Sequence, residues 1–214
     1  MQGYEKIKNV IFDFGGVILD IDYKKTEDAL RSLMKDGDHA GFSQAEQADL
    51  FNGIETGHLS EAEFRNGLRE LCERQELSDL ELDRAWNALL GPVIPAALDL
   101  VRQVSEHRRV FLLSNTNKIH LDFVKEGLVQ DFGSVDVFES SFEKVYYSHE
   151  HGLRKPHPEI FQLVLDENNL EPTETLFIDD SQQHIVGANR LGIKTLHLLG
   201  PLAEEIFLLN KIEG

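Results

Sequence analysis

The chain has 214 residues, 41% of them hydrophobic and 28% charged, enough for one sizeable domain or a core with a smaller insertion. A formal net charge of -17 opposes non-specific attraction to nucleic acid or to an anionic bilayer. No run of about 18 apolar residues is present to span a membrane. Neither nucleic acid nor membrane is therefore an expected partner, and an anionic ligand needs local positive charge from a metal, a lysine or a helix end.

The first six residues, Met1 to Lys6, lack the apolar core of a signal peptide and lead into Val10-Ile11-Phe12, a short apolar run. Such a run, without polar alternation, suits a parallel strand covered on both faces. From about Ile21 to Ile94 the pattern is helical, and no strand signal is read within it. Capping boxes at Ser60…Glu63 and Ser78…Glu81 start two of its helices. The first carries Phe64, Leu68, Leu71 and Cys72 on one face, and the second Leu82, Ala85, Trp86 and Leu89. Cys72 is the single cysteine, read as core filler in a reducing, cytoplasmic setting. Trp86 is expected to pack within this stretch or against the core rather than on a substrate.

Beyond it, Val110-Phe111-Leu112-Leu113, Leu176-Phe177-Ile178 and Leu196-His197-Leu198-Leu199 repeat the strand signal. Between them Pro158 opens a helix with Ile160, Phe161, Val164 and Leu165 on one face, and Ser181 is placed as the N-cap of another that stops before Gly192. The fold class is thus α/β, a Rossmann-like parallel sheet core from residues 1–20 and 95–214, with an all-helical cap of residues 21–94.

The polar residues at the strand ends carry the chemistry. The first apolar run ends in Asp13, the second in Ser114-Asn115 and the third in Asp179-Asp180, while Lys155-Pro156 lies just before the helix that Pro158 opens. In an open parallel sheet the carboxyl ends of the strands share one crevice, so these side chains are expected to converge. Three close carboxylates repel one another unless a cation shares them, and oxygen donors select magnesium. Magnesium beside a carboxylate suits phosphoryl transfer, with Asp13 as nucleophile forming an aspartyl-phosphate. Ser114 and Lys155 are then expected to hold the phosphoryl oxygens of a small phosphorylated metabolite.

Phe12-Asp13-Phe14-Gly15-Gly16-Val17-Ile18-Leu19-Asp20 resembles the first motif of the haloacid dehalogenase-like superfamily, usually Asp-x-Asp-Gly-Thr/Val. Leu113-Ser114-Asn115 resembles its second motif, and Gly152 to Phe161 is similar to its third-motif lysine region. Phe177-Ile178-Asp179-Asp180-Ser181 resembles its fourth. The order of the motifs and the place of the helical stretch resemble the subgroup with a cap inserted after motif one, and within it sugar-phosphate phosphatases. The resemblance implies Asp13, Ser114 and Lys155 as catalytic residues and Ser114, Asn115 and Lys155 as phosphate-binding. It implies magnesium held by Asp13, by Asp179 or Asp180, and by the backbone carbonyl of Gly15.

Gly15 is also a departure, since the family usually has its general acid and base there. A mutase reading falls with that acid, and Asp20 or Asp22 is a candidate replacement. The missing carboxylate leaves two alternatives open, a metal-free haloacid dehalogenase and a non-catalytic phosphate-binding relative. His184 stands where relatives often carry asparagine. His149, His151 and His157 are read as solvated loop residues rather than a metal site.

Overall fold

The computed structural model describes residues 6–35 and 44–205. Residues 1–5 and 206–214 of the expected core, and 36–43 of the expected helical stretch, lie outside the described residues. Strand β1 (Asn9–Phe12) is followed by β2 (Leu19–Ile21) and by helices α1 (Tyr23–Leu33), α2 (Gln44–Glu55), α3 (Glu61–Leu71) and α4 (Asp79–Trp86). A 3-10 turn then leads to β3 (Leu90–Val93), α5 (Pro95–Ser105), β4 (Arg109–Ser114), α6 (Lys118–Phe132) and α7 (Asp136–Glu139). Next come β5 (Lys144–Tyr147), α8 (Ser148–His151), α9 (Pro158–Asn168), β6 (Thr175–Asp179), α10 (Gln182–Asn189), β7 (Lys194–His197) and α11 (Leu202–Glu205).

Five strands form one parallel sheet in the order β5-β4-β1-β6-β7. From the central β1 the chain builds one side through β4 and β5, then returns to build the other through β6 and β7. The switch in direction falls at the carboxyl end of β1, which opens a crevice there. Successive residues alternate between the two faces. Val10, Phe12, Val110, Leu112, Leu176 and Ile178 pack on one side, and Ile11, Phe111, Leu113 and Phe177 pack with α9 and α10 on the other. Both faces are covered, which is why these strands read as unbroken apolar runs.

Helices α1 to α4 contribute to a separate apolar cluster that includes Leu30, Ile54, Phe64, Leu68, Cys72, Leu82 and Trp86, joined by Ile119 of α6. Both capping boxes form. Ser60 and Ser78 each accept from the backbone of the glutamate three residues on, and that glutamate's side chain accepts from the serine N–H. The stretch is not all helix, however. β2 and β3 pair as an antiparallel two-stranded ribbon that joins the helices to the sheet. Gly91 and Pro92 within β3 read as turn residues, which hid it. The edge strand β5 was also missed, being short and half-exposed at its start.

Candidate active site

The register of the sheet brings the motif residues together. Phe12 pairs with Leu112 on one side and Ile178 on the other, so the next residue of each strand places Asp13 between Leu113 and Asp179. Ser114 follows one position later on β4. Lys155 arrives from the loop before α9 and is fully buried. Its Nζ lies 2.6 Å from Asp13 Oδ1 and 2.8 Å from Asp179 Oδ2. The Phe14 N–H donates to the same Asp13 oxygen at 2.7 Å, so Oδ2 stands outside this cage.

Asp179 is held from three directions. Besides Lys155 it accepts from the Ser181 N–H at 2.7 Å and from His184 Nδ1 at 2.9 and 3.0 Å. Ser181 does occupy the N-cap position of α10, but its side chain makes no capping bond; its N–H serves the site instead. Where relatives often have asparagine, His184 thus plays a positioning part that the sequence did not disclose.

Asn115 and Lys155 are tied to one another. The side-chain amide of Asn115 is engaged at both ends by Lys155, donating to its carbonyl and accepting from its N–H, each at 2.9 Å. It fixes the lysine loop, and its second amide hydrogen remains over for another acceptor. A Cβ on Gly187 of α10 would stand 2.3 Å from the Pro156 carbonyl, so glycine allows α10 to press on the same loop. Lys155 itself stands behind Asp13, outside the cavity wall. Asp180 is exposed and lies over Gly16, whose φ is +75° and whose added Cβ would meet Asp180 Oδ2 at 2.2 Å. A side chain at Gly16 would be strained and would displace that carboxylate.

Electrostatics follow from this packing. Burial pushes Asp13 well above the usual carboxylate range, with Lys155 opposing and Asp179 reinforcing the rise. Burial works against an ionised Asp179 too, but Lys155 and His184 outweigh it and hold its carboxyl well below the ordinary value. Ligand atoms of Asp13, Asp179 and His184 lie within 4.8 Å of one another, and Gly15 and Asp180 line the same crevice. This oxygen-rich, anionic donor set fits a hard divalent cation.

A cavity of about 820 Å³ opens from Asp13 towards the helical elements. Ser114 and Asn115 line its inner end, and Tyr23, Phe51, Glu55, Trp86, His120 and Arg154 line its outer part. Asp20 and Asp22 do not line it. Asp22 caps α1 by accepting from the Lys24 N–H at 3.1 Å, and Asp20 packs beside Gly91. Neither is placed to replace the acid missing at Gly15. Trp86 does pack within the helical cluster as expected, yet it also forms part of the cavity wall. His149 and His151 are half-buried against Tyr147 and Tyr146, not solvated, whereas His157 is exposed.

A parallel sheet switching direction at a buried aspartate, with a lysine bridging it to a second aspartate, defines a hydrolase of the haloacid dehalogenase type. The chain belongs to this family: the model for haloacid dehalogenase-like hydrolases matches residues 7–192. It is similar to the D-ribitol-5-phosphate phosphatase of Bacteroides thetaiotaomicron, at 36% identity over 88% of this chain and 90% of that one. A crystal structure of a haloacid dehalogenase family enzyme from the same organism superposes with a TM-score of 0.84 at 34% identity, covering 94% of this chain and 98% of that one. Another, in complex with magnesium and inorganic phosphate, superposes at 0.75 with 36% identity over 89% of this chain and 93% of that one. No helix among the described residues is long and apolar enough to cross a membrane.

Proposed function

We propose that this hydrolase is a magnesium-dependent phosphatase that cleaves a small sugar or polyol phosphate through an aspartyl-phosphate on Asp13. The observation that carries the reading is the caged geometry of Asp13, one oxygen fixed by Lys155 and Phe14 and the other left for attack. In the first step Asp13 forms a bond to phosphorus as the ester P–O bond breaks, and the leaving oxygen takes a proton from water. Water then attacks phosphorus, releases inorganic phosphate and restores the carboxylate. Lys155 balances the charge of Asp13 and Asp179, while Ser114 and Asn115 receive the phosphoryl oxygens. His184 and the Ser181 N–H orient Asp179.

The residues that would hold magnesium are Asp13, the Gly15 carbonyl and Asp179, with Asp180 beside them. When bound, the ion supplies positive charge that neutralises the phosphoryl oxygens. The helical unit of residues 21–94 acts as a cap over the core of residues 1–20 and 95–214, working in the cytoplasm. The similarity to a D-ribitol-5-phosphate phosphatase supports a pentitol phosphate as the first ester to try.

The test is a screen of phosphorylated metabolites read by released phosphate, with and without magnesium. Magnesium-dependent release from sugar or polyol phosphates is expected. Absence of release, together with metal-free dehalogenation of 2-chloropropionate, would replace the reading with the dehalogenase one.

A further inference from the structure

Most polar side chains in the outer part of the cavity that opens from Asp13 already have protein partners. Arg31 pairs with Glu27, Arg154 with Glu55 and His120 with Asn87, while the Thr26 hydroxyl bonds the backbone of Trp86 and Leu89. Trp86 is nearly buried by stacking on Phe51 and His120. Tyr23 differs from all of these. It lines the same cavity with 75% of its surface exposed, and its hydroxyl makes no hydrogen bond to any described residue.

Two features of the chain put the phenol there. Ile21 ends β2 against Gly15, with its Cγ1 3.1 Å from where a Cβ on that glycine would stand. Tyr23 follows two residues later as the first residue of α1, directly after the N-cap Asp22. Side chains of a helix tilt towards its N-terminus, so Tyr23 leans back towards the end of β2 and the crevice beside Asp13.

The surroundings fix its protonation. The ring is bare but stands inside the cleft, and this burial, followed by the negative charge of Asp180, Asp13, Glu55 and Asp179, pushes its pKa up to about 12. It therefore keeps its proton at neutral pH. Three of those carboxylates lie at the strand ends of the sheet and the fourth on α2, so the phenol stands between the phosphate end of the cavity and its outer part. A phenol hydroxyl both donates and accepts, as an alcohol hydroxyl does. Ser114, Asn115 and the metal site serve the phosphoryl end, which leaves the alcohol part of the ester for Tyr23.

We propose that Tyr23 is a specificity-determining residue whose hydroxyl hydrogen-bonds a hydroxyl on the alcohol part of the phosphate ester. This rests on the phosphatase reading and names the residue that tells a polyol ester from a plain alkyl one. A directed hydrogen bond to a hydroxyl discriminates between the two, whereas an apolar wall alone does so weakly.

Calorimetric titration of the Asp13→Asn protein with magnesium compares D-ribitol 5-phosphate with pentyl phosphate, which has the same chain length and no free hydroxyl. The pentitol ester should bind more tightly. Adding Tyr23→Phe should reduce the ratio of the two affinities by about 3- to 10-fold, the effect of one hydrogen bond between neutral groups. The affinity for pentyl phosphate should stay the same, since the ring is kept and only the hydroxyl is lost. No preference for the pentitol ester before Tyr23→Phe is added, or a ratio that the substitution leaves unchanged, would overturn the assignment. So would an equal loss for both esters, which would put the phenol on the phosphate. In each of these cases magnesium-dependent release of phosphate from an aryl ester by the unmutated protein keeps the phosphatase reading standing. A Tyr23-dependent preference for the pentitol ester without turnover of any ester would do the reverse.

Discussion

The Lys155 ammonium, with no exposed surface, stands 2.6 Å from Oδ1 of Asp13. A cation held this way in a water-poor site stabilises negative charge that develops during phosphoryl transfer, because no solvent must reorganise around it. Lys155→Ala should lower kcat by at least about 100-fold. It also leaves two buried carboxylates without their partner, so stability should fall by about 3 to 5 kcal/mol, with magnesium restoring part of it. Steady-state kinetics and urea melts with and without the metal check both parts; near-normal turnover would make the lysine a structural residue only.

Gly15 lacks the proton donor usual in the family, and Asp20 and Asp22 lie outside the cavity wall. Phosphorylation of Asp13 should therefore depend steeply on leaving-group acidity, with aryl, acyl or anomeric sugar phosphates turned over faster than primary alkyl esters, pentitol phosphates included. A Cβ on Gly15 would meet only the Ile21 side chain, Cγ1 at 3.1 Å and Cδ1 at 3.5 Å, so a carboxylate can be introduced there if that side chain shifts by a few tenths of an ångström. Gly15→Asp should flatten the dependence, raising turnover of alkyl esters by about 10²-fold or more, in line with the usual contribution of a positioned acid. A series of substituted aryl and alkyl phosphates measures the slope in both proteins; identical slopes would show that another group already supplies the proton.

His120 is buried beside Trp86, with Asn87 Oδ1 2.7 Å from its Nδ1. Burial lowers its pKa from 6.5 to about 3. Between those values the unfolded chain takes up a proton that the folded chain refuses, so this group's contribution to stability is present above pH 6.5 and is lost as pH falls towards 3. Its share of the slope approaches about 1.4 kcal/mol per pH unit inside the window. His120→Gln should reduce the acid sensitivity of unfolding by that amount relative to the parent, measured by denaturant melts from pH 7 to pH 4. Equal slopes would mean that His120 protonates in the folded state.

Much of this was legible in the sequence, for a specific reason. Asp13, Ser114 and Asp179 each end an apolar run, and runs covered on both faces can be recognised without knowing what covers them. Parallel register then does the assembly. What escaped depends on contacts between distant segments. His184 gains its partner only because α10 starts where Asp179 ends, and Asn115 ties down the lysine loop only because the Lys155 backbone reaches it. Glu55 carries no local signal at all; its place beside Arg154 follows from how α2 sits against the loop before α9. The ribbon strand β3 was hidden by Gly91 and Pro92, whose local preference for turns is overridden by pairing with β2.

The account turns on Asp13 as a nucleophile that becomes phosphorylated. Incubation with a labelled aryl phosphate and magnesium, followed by an acid quench and peptide mapping, tests this directly. With no carboxylate at position 15 to activate water, the intermediate should accumulate. The label should be found on Asp13, be absent from Asp13→Asn, and disappear when EDTA is added before the substrate. Phosphate release at full rate by Asp13→Asn, or label retained on any other residue, would contradict it.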